Sequence, residues 1–358
     1  MDNLQLLIVE DEEKQRKMYS DQINFYNKSS EIKIDFSLID DLNSGLEEIN
    51  KKFFDAAIID LKLSKSEDMP EGNIIIKQIQ ENKRFPVIVI SGFIEDLDDR
   101  IIENALLKKY DRANCDIQNI LKDIVSVYNT GITKILGGKG EIEKYLNEIF
   151  WKHISGNFES YYDIEDSEKV LLRQISYHLS EYLDNTPEKY NSFEMYIIPP
   201  IKSEICTGDI LQKSDQFYIV LNPSCDLVIR SYENNIPKRN SDRLLISKIN
   251  RLKDLNEFSS FVFDTSLGKD KKEIIKKYIS NSKRERYHFL PSNKIFSDMI
   301  IDFQSLENIS FEEVKTYERI AAITGPFIKD IVARFSQYYS RQGQPDFDVD
   351  RILNSILR

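Results

Sequence analysis

The chain has 358 residues, and at about 150 residues a domain this length predicts two or three domains. Hydrophobic residues make up 41% of the chain and charged residues 30%, a composition typical of a globular protein with its own core. The formal charge of -11 argues against nucleic-acid binding over a broad surface and leaves only a local basic patch open. The three cysteines and three histidines lie far apart, which excludes the spacing of a disulfide framework or a zinc site.

Nothing in the sequence indicates export or membrane attachment. The first residues lack a basic segment followed by an apolar one, and no apolar run approaches the roughly 18 residues that a membrane span needs. We therefore expect a cytoplasmic protein without a membrane partner.

Residues 1–128 alternate short apolar runs with amphipathic segments. The runs LQLLIVE, IKIDFSLI, FDAAIIDL and FPVIVISG are rich in Ile and Val, as buried strands of a parallel sheet are. Between them lie stretches with helical spacing, such as GNIIIKQIQENKR. This alternation predicts a doubly wound α/β domain.

Two further regions follow. Residues 129–192 contain two amphipathic patterns, one in GEIEKYLNEIFWKHI and one beginning near Leu172, so they predict a helical connector. Residues 193–358 contain short β-like runs broken by Gly, Pro and Asn, which predict a mainly β domain, an antiparallel barrel or sandwich. A closing helix is expected in GPFIKDIVARFSQYYSRQG, with Pro326 at its start.

Polar residues stand where three of the predicted parallel strands end. Glu10 and Asp11 follow the first strand, Asp60 the third, and Ser91 closes the fourth. Each acid taken alone is as often a helix cap or a solvated loop residue. Ligands bind outside the carboxyl ends of such strands, so together these groups are expected to meet. Three crowded carboxylates raise at least one pKa unless a cation lies among them, and Mg²⁺ suits such oxygen ligands.

These stretches resemble the receiver domains of two-component response regulators, over residues 3 to 128. LLIVEDEE resembles the family's first strand with its metal-binding acids, and DAAIIDLKL the strand that bears the phospho-accepting aspartate, here Asp60. PVIVISGF places Ser91 at the family's Ser or Thr position. ALLKKYDRANCDIQNILKDI resembles the last strand and helix, with Lys108 as the family's lysine. The resemblance implies a doubly wound receiver domain with five parallel strands.

The resemblance also implies a chemistry. Asp60 would accept a phosphoryl group from a histidine kinase or kinase-like ATPase, while Glu10, Asp11 and Asp60 hold Mg²⁺. Ser91 and Lys108 would contact the phosphoryl oxygens, because phosphoryl transfer depends on positioning and charge neutralisation. A receiver that is never phosphorylated is the alternative at this stage.

Two departures from the family pattern bear on the structure. The loop after Asp60, LKLSKSEDMPEGN, is longer than usual and carries extra acids. The interval from Ser91 to Lys108 is short, which predicts a trimmed fourth helix.

The C-terminal half carries weaker motifs. TGDILQKSDQFYIVLNPSCDLV faintly resembles the small barrels of PemK/MazF-type toxin ribonucleases. Cys225 beside Asp226 could be a nucleophile with an acid, but a buried structural cysteine is more common. Asp302, Glu313 and Lys315 in DFQSLENISFEEVK have a loosely nuclease-like order, which is more often chance. Residues 269–288 are basic with two tyrosines, a pattern of nucleic-acid contact or, more commonly, of a solvated helix.

We therefore predict an atypical response regulator whose receiver, phosphorylated on Asp60, alters the binding of the C-terminal domain to another protein or, less favoured, to nucleic acid. Two alternatives remain at this stage. One is an effector nuclease or ribonuclease controlled by phosphorylation, since the sequence leaves enzymatic activity open, and the other is a phosphate-sink scaffold. Receivers with such tails resemble components of bacterial stress or phage-defence operons.

Overall fold

The computed structural model describes residues 3–63, 70–184, 189–233, 236–264, 266–341 and 346–357. The chain divides into two units, Met1–Pro187 and Glu188–Arg358. Most of the predicted connector, residues 129–192, therefore belongs to the first unit.

The first unit begins with alternating strands and helices. In chain order these are β1 (Leu4–Val9), α1 (Glu13–Ser29), β2 (Ile34–Ile39), α2 (Leu42–Lys51), β3 (Ala56–Ile59), α3 (Gly72–Asn82), β4 (Val87–Ser91), β5 (Leu107–Asp111) and α4 (Ile117–Asn129). The strands form one sheet in the order β2-β1-β3-β4-β5, and every pair is parallel. The predicted five-stranded, doubly wound receiver fold is confirmed, and β5 lies at one edge of the sheet.

The apolar runs form strands here because both faces of the sheet are covered. Along β1, Leu6 and Ile8 pack with residues of α1 and α4, while Leu7 and Val9 pack with residues of α2 and α3. All four side chains are fully buried. Each such burial contributes about 1.5–3 kcal/mol, which is why this sequence favours a central strand over a surface one.

The connection between β4 and β5 contains no α-helix; its one helical element is a single 3-10 turn, Ile94–Asp96. Asn73 of α3 holds the connection, because its side-chain amide donates to the Asp96 carbonyl at 3.0 Å and accepts from the Asp98 N–H at 3.1 Å. The predicted trimming is thus more extensive than expected. Part of the predicted long loop after Asp60, residues 64–69, lies outside the described residues.

The described remainder of the first unit, up to Asp184, is mostly helical. It contains α5 (Ile132–Leu136), α6 (Glu141–Glu148), a π-helical turn (Ile149–Ile154), a 3-10 segment (Ser155–Tyr161) and α7 (Ser167–Asp184). The two predicted amphipathic helices correspond to α6 and α7, which contact each other through Tyr145 and Tyr182, with ring centroids 5.2 Å apart.

The second unit is built on antiparallel strands. Its elements are β6 (Tyr196–Ile197), β7 (Asp209–Lys213), β8 (Gln216–Val220), α8 (Ser224–Leu227), β9 (Ser231–Glu233), β10 (Ile236–Lys238), β11 (Arg243–Arg251), α9 (Lys269–Ile279), β12 (Tyr287–Leu290), β13 (Met299–Ser310), β14 (Glu318–Ile323), α10 (Gly325–Ser340) and α11 (Val349–Ile356). Seven strands form a half-barrel sheet in the order β12-β13-β11-β8-β7-β14-β6, and β9 pairs with β10 separately. The mainly β domain is confirmed.

The closing helix is also confirmed as α10, which has Pro326 in its first turn. It packs on the sheet through Ile331, which is fully buried, and through Phe335, whose ring lies 5.6 Å from that of Phe303. Across the described part of the chain, no helix is both long enough and apolar enough to cross a membrane.

Candidate functional site

Three carboxylates meet at the carboxyl ends of β1 and β3. Each of Glu10, Asp11 and Asp60 offers one carboxylate oxygen, and these oxygens lie within 4.8 Å of one another. The backbone fixes them, because the N–H of Glu10 donates to Ile39 and the N–H of Asp60 donates to Val9, both at 2.9 Å. The sheet ladder thus extends to the acids themselves, and the predicted cluster is present.

The carboxylates are crowded and poorly hydrated. Glu10 is 1% exposed and Asp60 is 5% exposed. Burial, reinforced by the nearby charge of Asp60, raises the pKa of Glu10 to about 8. The same two causes raise the pKa of Asp11. This part of the protein therefore carries more negative charge than its own residues neutralise.

One cation lies within this cluster. Arg112 directly follows β5, and its Nη2 atom lies 2.8 Å from Oε2 of Glu10 and 2.7 Å from Oδ2 of Asp60. Its Nη1 atom lies 3.8 Å from Oε2 of Glu12 at the exposed rim. Arg112 was not among the predicted site residues. The rule that polar groups follow strand ends would have found it, had the end of β5 been visible in the sequence.

Lys108 lies elsewhere, and its predicted place in the site is corrected accordingly. In the register of the sheet Lys108 is opposite Ile88, whereas the end of β5, Asp111, is opposite Ser91. Lys108 is therefore three residues short of the strand end. Its ammonium pairs with the carboxylate of Asp123 on α4, at 3.0 Å.

Ser91 and Gly72 complete the surroundings of Asp60. Ser91 is fully buried at the end of β4, and its Oγ accepts a hydrogen bond from the Phe93 N–H at 3.2 Å. A Cβ atom on Gly72 would lie 2.1 Å from the carbonyl oxygen of Asp60, so only glycine permits α3 to begin this close to the aspartate. The Oδ1 atom of Asp60 accepts from the Leu61 N–H at 2.8 Å, which orients the carboxylate.

The donor set of this cluster fits a magnesium ion. Mg²⁺ binds oxygen ligands and usually takes one or two carboxylates in proteins. Glu10, Asp11 and Asp60 supply three carboxylates, and the guanidinium of Arg112 contacts only two of them in the described structure. A divalent cation would relieve this excess charge.

Comparison with solved structures finds receiver domains over the N-terminal third of the chain. The N-terminal domain of a response regulator/sensory box/GGDEF protein from Carboxydothermus hydrogenoformans is 18% identical, covers 35% of this chain and 94% of its own, and has a TM-score of 0.26. A CheY-like receiver domain from Methanospirillum hungatei is 15% identical, with coverages of 36% and 100% and a TM-score of 0.27.

The receiver domain of a sensor histidine kinase from Pseudomonas aeruginosa, which has a magnesium ion coordinated in its active-site cleft, is 10% identical. It covers 36% of this chain and 99% of its own, with a TM-score of 0.28. No protein-family model matches the chain. No curated protein matches it either.

The nuclease-like residues predicted in the second unit are held in separate ion pairs. Arg286 binds Asp302 through two hydrogen bonds of 2.6 Å. Lys315 pairs with Glu312 at 2.8 Å, within one turn of the chain, rather than with the predicted Glu313. The structure does not assemble Asp302, Glu313 and Lys315 into one group.

The less favoured interpretation of Cys225, as a nucleophile, finds no histidine partner among the described residues. The Sγ atom of Cys225 lies 3.7 Å from Oδ1 of Asp226, the contact that the sequence suggested. His288 is buried and bonded to a carboxylate of α10 at 3.1 Å. His153 and His178 contact each other in the first unit, with ring centroids 5.0 Å apart. Their described contacts leave Cys225 without a general base.

The basic stretch 269–288 forms α9 and the segment up to β12. Its Tyr278 is buried, and the hydroxyl donates to Glu257 at 2.6 Å. The ring centroid of Tyr278 lies 5.8 Å from that of Tyr287 and 5.1 Å from that of Phe258. Both tyrosines thus belong to the packing of this segment, which favours the interpretation as a solvated helix with one buried side.

Proposed function

We propose that the first unit is a receiver whose Asp60 is phosphorylated, and that this modification alters what the second unit binds. The observation that carries the proposal is the group of three carboxylates, two of them buried, at the carboxyl ends of β1 and β3, with the guanidinium of Arg112 among them. A purely structural ion pair needs one acid and one base. This cluster has three carboxylates and one guanidinium, so the negative charges outnumber the positive one.

Asp60 is the acceptor in this proposal. A carboxylate oxygen of Asp60 attacks the phosphorus of a phosphorylated donor, a new P–O bond forms, and the bond from phosphorus to the donor's leaving group breaks. The Leu61 N–H orients the Asp60 carboxylate, and Gly72 leaves space beside its backbone. Their contribution is positioning, which supplies much of the catalysis in phosphoryl transfer.

Glu10, Asp11 and Asp60 are the residues that would hold magnesium. A bound Mg²⁺ ion would supply positive charge to the phosphoryl oxygens. Arg112, rather than the predicted Lys108, is the basic side chain that contacts the acceptor carboxylate in the metal-free site.

Ser91 would respond to the new anion. Its hydroxyl is at the end of β4 and bonds only the Phe93 N–H in the described structure, so it retains a proton to donate to a phosphoryl oxygen. A shift of Ser91 would move Phe93 and the 3-10 turn beyond it. Changes of this kind, in which a loop follows a phosphate, are a common basis of protein switches.

The upstream partner in this proposal is a histidine kinase or a related ATPase in the cytoplasm, and the downstream partner is a protein bound by the second unit. Nucleic acid is not favoured, because the tyrosines of the basic stretch are packed. The separated positions of Asp302 and Lys315 speak against the nuclease alternative.

Intact-mass measurement tests the proposal. The full chain is incubated with Mg²⁺ and a small phosphodonor, and wild type is compared with Asp60→Asn. We expect wild type to gain the mass of one phosphoryl group and the variant to gain none. Asp123→Asn is the matched control, since it removes a surface carboxylate of the same unit, and it should be phosphorylated normally. Absence of added mass in wild type would overturn the proposal.

A further inference from the structure

Arg112 occupies the position in the acidic cluster that a cation shared by Glu10 and Asp60 would take. One atom, Nη2, lies 2.8 Å from Oε2 of Glu10 and 2.7 Å from Oδ2 of Asp60. The side chain is 20% exposed, so it is held in the site and not extended into solvent. Its backbone is fixed by the turn after β5, where Asp111 accepts from the Ala113 N–H at 2.9 Å.

A divalent cation bound to the same two oxygens would collide with this guanidinium. Mg²⁺ requires oxygen ligands at about 2.0–2.1 Å in a nearly octahedral arrangement. The nitrogen that now lies between the two carboxylates leaves no such space. The described geometry therefore permits either Arg112 or a metal ion on Oε2 of Glu10 and Oδ2 of Asp60, and not both.

Arg112 has an alternative place to go. Its second nitrogen, Nη1, already lies 3.8 Å from Oε2 of Glu12, an exposed acid that is not part of the cluster. Arg112 also lines a cavity of about 470 Å³ beside α1 and α4, together with Tyr19 and Asp116. Its Nε atom is buried without a hydrogen-bond partner among the described residues. The arrangement on Glu10 and Asp60 is thus incomplete for the arginine itself.

We propose that Arg112 is a built-in competitor of the divalent cation, which must displace it from Glu10 and Asp60 in order to bind. The inference rests on the proposed function, because it assigns a regulation to the same site. Arg112 neutralises the cluster while no metal is bound, and metal binding moves it toward Glu12. The site is therefore closed to metal by one of its own side chains, and its affinity for Mg²⁺ is lower than three carboxylates would otherwise give.

Calorimetric titration with MgCl₂ alone, without a phosphodonor, tests this competition. Removal of the competitor in Arg112→Gln should tighten Mg²⁺ binding by about tenfold or more. Removing any nearby positive charge would also favour a cation, so a matched control is needed. Arg16 provides it: its side chain is 21% exposed, and it bonds the backbone carbonyls of Glu10 and Asp11 at 2.8 and 2.6 Å without touching their carboxylates.

We expect Arg16→Gln to change the Mg²⁺ dissociation constant by less than about threefold. Equal tightening of Mg²⁺ binding in the two variants would mean that the loss of any nearby positive charge explains the effect, and it would overturn the inference. No tightening in Arg112→Gln would also overturn it. Failure of every protein to bind Mg²⁺ would also overturn it, whereas binding by Arg112→Gln alone would support it.

A second measurement keeps the test valid if Arg112→Gln does not fold. In ¹⁵N-labelled wild type, the Nε–Hε resonance of Arg112 is assigned by its loss in Arg112→Lys. We expect this resonance to shift as Mg²⁺ is added, and the dissociation constant fitted to the shift should equal the calorimetric one. An unchanged resonance at saturating Mg²⁺ contradicts displacement. Because no phosphodonor is used, a failure of Asp60 phosphorylation leaves these results interpretable, and a failure of the competition leaves the phosphorylation test unaffected.

Discussion

Each unit contains a buried carboxylate that is bonded to an arginine, but the two arrangements differ in charge balance. In the second unit, one acid, Asp302, meets one base, Arg286, through two hydrogen bonds of 2.6 Å. In the first unit, Arg112 faces the carboxylates of both Glu10 and Asp60, with Asp11 beside them. The Asp302–Arg286 pair of the second unit is neutral, whereas the cluster of the first unit retains a net negative charge.

The pKa values follow this difference. Burial alone would raise the pKa of Asp302, but the hydrogen bonds from Arg286 and from the Gln304 N–H lower it below its usual value. Burial and the charge of Asp60 instead raise the pKa of Glu10 to about 8. The Asp302 carboxylate is therefore held in its charged form by its own partners, while the unbalanced cluster is stabilised by adding a cation or removing a charge.

The largest effect is expected from breaking the balanced pair. Asp302→Asn leaves Arg286 without its counter-charge, so the free energy of unfolding of the second unit should fall by about 3 kcal/mol. The free energy of unfolding of the second unit is measured by denaturant titration, with hydrogen exchange of the β12 and β13 amides as the probe. Glu313→Gln is the control, because its pair with Lys213 is 3.7 Å long and exposed, and it should cost less than about 1 kcal/mol. Equal losses in both variants would contradict the distinction.

The pH dependence of the first unit should come next in size. The pKa of Glu10 is about 8 in the folded chain and near 4.5 in the unfolded chain, so between these values the folded state holds a proton that the unfolded state has lost. The free energy of unfolding of metal-free protein should therefore fall as the pH rises through this range, by at most about 1.4 kcal/mol per pH unit. Glu10→Gln should abolish the decline, and its persistence in that variant would assign it to another group. Thermal unfolding across the pH range is the measurement.

Removing one charge from the unbalanced cluster should raise the free energy of unfolding, whereas removing one from the balanced pair should lower it. Without metal, Asp60→Asn should raise the free energy of unfolding of the first unit by about 1 kcal/mol, because two carboxylates then share Arg112 instead of three. Hydrogen exchange in β1 and β3 reports on this unit. A loss of stability comparable to that in Asp302→Asn would mean that the cluster is a structural ion pair after all.

The smallest effect is expected at Lys108, which forms a balanced surface pair within the same unit. Lys108→Ala should cost about 0.5 kcal/mol and change the rate of Asp60 phosphorylation by less than about twofold. Arg112→Ala should change that rate by more than about twofold, because Arg112 contacts the acceptor carboxylate and, in our inference, competes with the metal. Time courses of intact mass compare the two variants. A severe defect in Lys108→Ala alone would restore the role that the sequence assigned to it.

Most of the first unit could be predicted because its strands are buried on both faces. The runs that form β1, β3 and β4 contain little but Ile, Leu, Val and Ala, so their carboxyl ends could be placed within a residue. That precision placed Glu10, Asp60 and Ser91 correctly at strand ends. The acids then met because a parallel sheet brings those ends to one edge.

Arg112 could not be predicted by the same reasoning because β5 does not show its own end. The strand reads LKKYD, and only Leu107 in it is buried. Because β5 has no apolar run to mark its end, the sequence favoured Lys108, which matched the family motif. The register of β5 with β4 instead places Arg112 just beyond the strand end. In the second unit the antiparallel strands were recognisable, but their pairing order depends on contacts distant in sequence, which short motifs do not encode.

Lys108 lies on β5, an edge strand of the sheet, and this position gives it a role outside the acidic cluster. An edge strand presents unpaired backbone N–H and C=O groups, on which a strand of another molecule can assemble. Lys108 and Lys109 lie in the middle of β5, and such charges discourage this pairing because like charges would be brought together. Lys108 and Lys109 would thus protect the sheet edge against aggregation, and replacing them with apolar residues would be visible as insolubility.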